Sequence, residues 1–368
     1  LFLFLPAAFL GYQLLRLYSA RWAIGALTLA SFIFYVAWEI ENAWVIALSI
    51  LGNYLAGLIL VRTRAGAWGT PALAISVGLN LLALGYFKYT GFFVANVPFL
   101  GLDPAIGDIV LPLGISFFTF TQIAYLVDVR RAVASEADFL NYCLFVTFFP
   151  HLIAGPIVHH REMMPQFSDP RPLRADDMVA GLAMLCIGLF KKIVFADALA
   201  RHATPIFASA QDPNAAVPMV AAWQGALAYT GQIYFDFSAY SDMAVGLALL
   251  FGINLPLNFN SPYKARNIID FWRRWHMTLS RFLRDYLYVP LGGNRLGRRR
   301  RYINLLLVMV IGGLWHGASW TFVIWGGLHG LYLAINHLWR EHRGTRATTN
   351  VGRAAGWAIT LLAVIVAW

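Results

Sequence analysis

Apolar residues in this chain come in long runs, not at the spacing of one helix face or of alternate strand positions. Runs recur at 1–15, 22–38, 43–61, 71–87, 109–127, 139–158, 178–200, 217–235, 238–255, 303–322, 323–339 and 354–368. A helix of about 20 residues crosses roughly 30 Å of hydrocarbon while satisfying its own backbone groups. The pattern therefore predicts an all-α, polytopic transmembrane protein with one membrane-embedded domain over 1–368. The opening Leu1-Phe2-Leu3-Phe4-Leu5-Pro6 has no methionine, basic leader or small-residue cleavage site, so it is not expected to be a signal peptide. Both ends fall in or beside apolar runs, and a chain cut at both ends is expected.

Three interruptions modify this picture. Segment 139–158 contains Phe149-Pro150-His151 and Gly155-Pro156. Such breaks are tolerated at membrane depth only where protein wraps the backbone or a cavity lies beside it, so a re-entrant segment is expected. Lys191 and Lys192 fall inside 178–200, which predicts a tilted, interfacial or inward-facing helix. Residues 256–302 form the long polar interruption and are expected to face the cytoplasm. Within them, 268–288 mixes Trp, Leu and Phe with arginines and predicts an amphipathic helix, which Pro290-Leu291-Gly292-Gly293-Asn294 stops.

Composition agrees with the runs. The chain is 59% hydrophobic and only 12% charged, about half the charge of a soluble domain, which excludes an ordinary cytosolic enzyme. The net charge of +10 is concentrated in 261–301, where eleven Lys and Arg stand against Asp270 and Asp285. That segment reads as a cytoplasmic loop near anionic headgroups, or as an attractor of a polyanionic substrate or acidic protein, and not as a nucleic-acid site. Earlier loops alternate in charge: Arg16 and Arg21, Glu39 and Glu41, Arg62 and Arg64, Asp103 and Asp108, then Arg130 and Arg131. This places 16–21, 62–70 and 128–138 in the cytoplasm. Cys143 and Cys186 are far apart in apolar stretches, and are expected to be small buried hydrophobes.

Phosphate-loop, nucleophile-elbow, H-E-x-x-H and dinucleotide signatures are missing. What remains is a set of histidines and carboxylates in apolar surroundings. His316 lies in Gly312-Gly313-Leu314-Trp315-His316-Gly317, inside a predicted span, where an ionisable residue is a functional candidate and the glycines admit a close neighbour. The other reading is a neutral histidine bonded to an adjacent helix. His276 ends Trp272-Arg273-Arg274-Trp275-His276, and Ser280 one turn on makes only a weak triad. His151 is a third candidate, whereas His159, His160, His202, His337 and His342 look like loop or boundary residues. Asp236 and Asp242, in an aromatic stretch, suit cation binding, histidine orientation or capping.

Several strings together resemble the membrane-bound O-acyltransferase superfamily, most of all its bacterial branch typified by the alginate O-acetyltransferase membrane subunit. They are Asn258-Phe259-Asn260 with Pro262-Tyr263, Asp270 through His276, Leu283-Arg284-Asp285-Tyr286-Leu287-Tyr288 with Leu291-Gly292-Gly293-Asn294, and Gly313 through Ala318. Upstream, Phe148 through Pro156, Lys191-Lys192 and Tyr234 through Asp242 agree. The resemblance runs over nearly the whole chain. It implies helices ringed around a central tunnel, a cytoplasmic donor side and an extracytoplasmic acceptor side, in the bacterial inner membrane. It also implies His316 as the catalytic residue and His276 as its companion. Substrate contacts are then expected from Trp315, Asn260, Tyr263, Trp272, Arg273, Arg274, Trp275, Asp285, Asp236, Asp242 and His151.

Transfer of an acyl group from a thioester to a hydroxyl needs a base of near-neutral pKa, which a buried, neutral histidine supplies. His316 is expected to be that base, and His276 to orient the thioester or bond its developing oxyanion. The donor is expected to be acetyl-coenzyme A or an acyl-carrier thioester, with no bound cofactor and no metal. The acceptor is expected to be an exported or cell-wall polysaccharide, reached through a periplasmic polysaccharide-modifying partner. Transfer of D-alanine to teichoic acid is the alternative within this class. A proton-coupled transporter and a structural anchor are the alternatives outside it.

Overall fold

The computed structural model describes residues 3–101, 103–107, 109–134, 138–212, 214–344 and 349–368. Leu1, Phe2, Asp108 and positions 135–137 of the predicted 128–138 loop lie outside them. Every regular element among the described residues is helical. The chain forms two compact units, residues 1–182 with 247–255 and residues 183–246 with 256–368.

The first unit is carried by α1 (Phe4–Arg16), α2 (Ala20–Trp38), α3 (Ala43–Thr63), α4 (Gly69–Leu84), α5 (Thr90–Asn96), α6 (Ile115–Arg130), α7 (Phe139–Thr147) and α8 (His160–Ser168). With lipid outside, helices gain little by hiding apolar surface from one another, so packing and internal hydrogen bonds hold them. Asn53 and Asn80 exchange side-chain bonds of 3.1 and 2.6 Å between α3 and α4. Tyr142 donates to Gln122 at 3.1 Å, and Gln122 donates to Ser49 at 2.8 Å. The predicted span 139–158 is helical only to Thr147. Beyond it the backbone is irregular and mostly buried through His159, as its prolines and glycine require. His159 and His160 are 2% and 3% exposed, not boundary residues; His160 packs on Tyr125 and Phe145 at 4.9 and 5.4 Å.

The second unit takes in the later part of α9 (Ala175–Phe190) and then α10 (Asp197–Gln211), joined to it through one π-helical turn, Lys191–Ala196. Next come α11 (Met219–Leu250) as far as Gly246, α12 (Ile268–Trp272), α13 (Met277–Leu283), α14 (Gly297–His316), α15 (Trp320–Arg343) and α16 (Asn350–Ala367). Five helical stretches among the described residues are long and apolar enough to cross a membrane: Ala20–Trp38, Ala43–Thr63, Gly69–Asn96, Ala175–Gln211 and Asn350–Ala367.

Several expected elements differ. Runs 217–235 and 238–255 are joined within the single 32-residue α11, which ends at Leu250, because nothing between them breaks a helix. Segment 268–288 is no surface helix: it is two short helices and a π turn, with Phe271, Trp275, Leu279 and Phe282 buried. Run 303–322 is interrupted, since α14 ends at His316 and α15 starts at Trp320 behind an N-cap from Ser319. Arg298–Arg301 are the first turn of α14 and not a loop; Glu341 in the last turn of α15 pairs with Arg298, and with Arg301 at 2.8 Å. Cys143 is half-buried and Cys186 exposed on an apolar helix, where the surface faces lipid and burial is unnecessary.

Candidate active site

The site grows from one strained residue. His276 sits between α12 and α13 with φ +41° and ψ +55°, the left-handed region that side chains other than glycine adopt at a cost of about 1–3 kcal/mol. Asn258 holds it there. The Asn258 carbonyl accepts the Met277 N–H at 2.9 Å. Its side-chain Oδ1 accepts the Thr278 N–H at 3.3 Å and the Thr278 hydroxyl at 2.9 Å, and lies 3.0 Å from His276 Nδ1. The Asn258 amide nitrogen donates to Ser241 at 3.2 Å.

This arrangement fixes a proton. A backbone N–H can only donate, so the atom facing Thr278 is the Asn258 oxygen. An amide oxygen can only accept, so His276 Nδ1 must carry the hydrogen. The lone pair of the neutral ring is therefore on Nε2, which is buried and has no partner among the described residues. His276 is 1% exposed, and burial first, with His316 second, pushes its pKa well below the ordinary histidine value. A neutral Nε2 accepts a hydrogen bond.

His316 comes to the same place from the other side. It is the last residue of α14, half-buried, with its ring centroid 6.4 Å from that of His276. Trp315 and Trp325 flank it at 5.0 and 5.3 Å, and Phe322 stacks over it at 6.2 Å. The glycines explain the fit. A Cβ at Gly313 would collide with the Phe322 carbonyl, and one at Gly317 with the Phe322 ring. A Cβ at Gly326 would strike the Met309 carbonyl, so α14 and α15 approach closely only because these side chains are absent.

Aromatic rings line the pair. Phe237 meets His276 edge-on at 4.7 Å, and Phe259 stacks on it at 6.5 Å. Trp275 stacks on Phe271 at 5.6 Å and meets Phe259 at 5.1 Å. Tyr263 packs on Trp275 at 6.1 Å and donates its hydroxyl to the Thr230 carbonyl at 2.6 Å. Trp272 reaches the site through Trp325 at 5.8 Å. Trp272, Trp275 and Trp325 belong to the buried core of this unit, together with Met309, Leu333 and Val364.

The other expected residues are placed differently. Asn260 acts through its backbone: its N–H bonds the Arg274 carbonyl at 2.9 Å and its carbonyl accepts from the Arg274 guanidinium at 3.2 Å. Arg274 also pairs with Asp270 at 2.9 Å, Asp285 pairs with Arg284 at 2.7 Å, and Arg273 is exposed. Asp242 binds Lys191 at 2.5 Å, and Asp236 binds Lys192 at 2.8 Å. His151 is buried in the first unit against Phe148, at 5.7 Å.

Two residues escaped the sequence reading. Asn258 stood in a quoted string, but its clamp on His276 needs the left-handed turn to be seen. His329 on α15 is fully buried, and neither ring nitrogen has a partner among the described residues. It touches Trp325 at 4.7 Å and Trp272 at 5.1 Å. Its context, Gly326-Gly327-Leu328-His329-Gly330, repeats that of His316 with one residue fewer and was the available signal.

A family model described as MBOAT, membrane-bound O-acyltransferase family, matches residues 115–368. The chain belongs to that family. Among relatives, it is 44% identical over 398 residues to a peptidoglycan O-acetyltransferase of Helicobacter pylori, covering all of this chain and 75% of that protein. It is 42% identical over 379 residues to a probable alginate O-acetylase AlgI of Pseudomonas aeruginosa, covering all of this chain and 70% of that one. A teichoic acid D-alanyltransferase of Lacticaseibacillus rhamnosus is more distant, 25% identical over 337 residues, 84% of this chain and 78% of that protein. The protein is thus an acyltransferase of a membrane family, which answers the transporter and anchor readings.

Proposed function

We propose that this acyltransferase moves an acetyl group from a thioester donor on the cytoplasmic side of the bacterial inner membrane toward hydroxyls of an exported or cell-wall polysaccharide. Coenzyme A or a carrier protein bears the donor thioester, and a periplasmic partner completes the modification. Acetyl is favoured over D-alanyl by the 44% and 42% identity to O-acetylating relatives, against 25% to the D-alanyl-transferring one.

One observation carries the chemical reading: residues 40 positions apart bring two imidazoles to a centroid separation of 6.4 Å. As the hydroxyl attacks the thioester carbonyl, His316 takes the hydroxyl proton, and the neutral, lone-pair-bearing His276 ring beside it favours the positive charge that His316 then carries. The thiolate leaves and is protonated as the catalyst returns its proton. His316 is the ring that a substrate reaches, since it is half-buried and His276 is sealed.

The test uses purified protein in nanodiscs with acetyl-labelled coenzyme A, with and without carrier protein and periplasmic extract. His316→Ala should lower product formation by about 10²–10⁴-fold while the protein still inserts and elutes as wild type. Wild-type turnover from the alanine variant would overturn the role of His316. A requirement for D-alanyl-loaded carrier, with no use of acetyl donors, would overturn the choice of acyl group.

A further inference from the structure

The second unit holds a cleft of about 900 Å³ bordered by the 266–273 segment, the C-terminal half of α15 and α16 from Gly352 to Ala363. Five arginines line it, Arg266, Arg273, Arg340, Arg343 and Arg353. Asp270 is the one acidic side chain among its lining residues, and it is occupied by Arg274 at 2.9 Å. Glu341, next to Arg340, is turned to Arg298 and Arg301. The cleft therefore carries a strong excess of positive charge. Its walls are built in: Trp357 Nε1 donates to the Tyr263 carbonyl at 2.8 Å, and Gly356 lets α16 approach closely, since a Cβ there would lie 2.7 Å from the Arg266 carbonyl.

Part of the lining is apolar. Ile335, Trp339 and Ile359 line the cleft and are 54%, 61% and 68% exposed. Ile359 lies on α16, one of the helices long and apolar enough to cross a membrane. Side chains of this kind on such a helix face hydrocarbon, so the cleft runs from guanidinium groups to a lipid-facing surface. An occupant must combine a phosphate-like anion, which arginine forks bind bidentately, with an apolar tail. Basic pockets between transmembrane helices take acidic lipid headgroups on the same grounds.

We propose that this cleft is a binding site for an anionic phospholipid, with its phosphate between Arg340 and Arg353 and its acyl chain along Ile335 and Ile359. The site is separate from the histidine pair and does not depend on the transfer chemistry.

The full-length protein, in nanodiscs of equal parts phosphatidylglycerol and phosphatidylcholine, is released into detergent and its retained lipid measured by native mass spectrometry. Wild type should retain phosphatidylglycerol selectively. Each arginine removed should lower that preference about fivefold, so Arg340→Ala with Arg353→Ala together should cost about 25-fold. A charge-preserving Arg340→Lys, Arg353→Lys variant separates loss of the site from loss of the fold, and should keep much of the selectivity. Equal retention of the two lipids by wild type, or selectivity untouched by the alanine pair in protein that elutes as wild type, would overturn the proposal. Displacement of phosphatidylglycerol by coenzyme A would assign the cleft to the donor's phosphates and overturn the lipid assignment.

Discussion

Two clusters in the second unit looked alike in the sequence, each setting ionisable groups in apolar helices, and they differ in one physical respect. Around Lys191 and Lys192 every charge has a counter-charge: Asp242 at 2.5 Å, Asp236 at 2.8 Å and Asp197 at 2.9 Å. Both ammonium groups are taken up by carboxylates. Around His276 the accounts stay open. Its backbone is strained, its Nδ1 proton is fixed by Asn258, and its Nε2 lone pair is buried without a partner. Holding a polar atom bare in a low-dielectric site costs about 1–3 kcal/mol, so the fold tolerates at this point what it avoids at the lysines. A satisfied network fixes helices, whereas an unsatisfied one is poised to bind or react.

That contrast is broken most directly at Asn258. Asn258→Ala removes the acceptor of three hydrogen bonds without touching either histidine, and should lower transfer by about 10²-fold, chiefly in kcat, with little change in KM. Asn258→Asp, which keeps an acceptor oxygen, should recover part of the loss. A stable alanine variant with normal kcat would place His276 outside the chemistry.

The lysine cluster should answer in the opposite way. Asp242→Asn strands Lys191 and should cost about 1–3 kcal/mol of stability, less than for a fully buried pair because both side chains keep about a quarter of their surface. It should appear as a lowered melting temperature, with activity per folded molecule within about twofold of wild type. Exchanging the pair, Lys191→Asp with Asp242→Lys, should restore much of the stability. Loss of turnover at unchanged stability would move the cluster into the active site.

The helical, membrane-embedded class and His316 were legible in the sequence because each rests on a local signal. Runs of apolar residues state a span length, and a histidine inside one stands out. His276 was legible as a residue but not in its geometry, since 268–288 carries apolar periodicity and no glycine or proline to announce the break at 276. The left-handed turn is imposed by Asn258, eighteen positions away. Asp236 and Asp242 were visible as carboxylates, and their partners could not be, because pairing with Lys191 and Lys192 depends on how two long helices pack. His329 carries the same local signal as His316, two glycines and a leucine before it and a glycine after, but lacks the tryptophan. The merging of two predicted spans into α11 has a simpler cause: without a breaker, hydropathy alone does not mark an end.

The central claim is that His276 and His316 act as one unit. A double-mutant cycle on acetyl transfer tests it, comparing His276→Ala, His316→Ala and the double variant in nanodiscs. Residues acting together are strongly non-additive. The account predicts that the double variant is no slower than His316→Ala alone, within about threefold. Losses that multiply, each histidine contributing its full factor in the absence of the other, would contradict it.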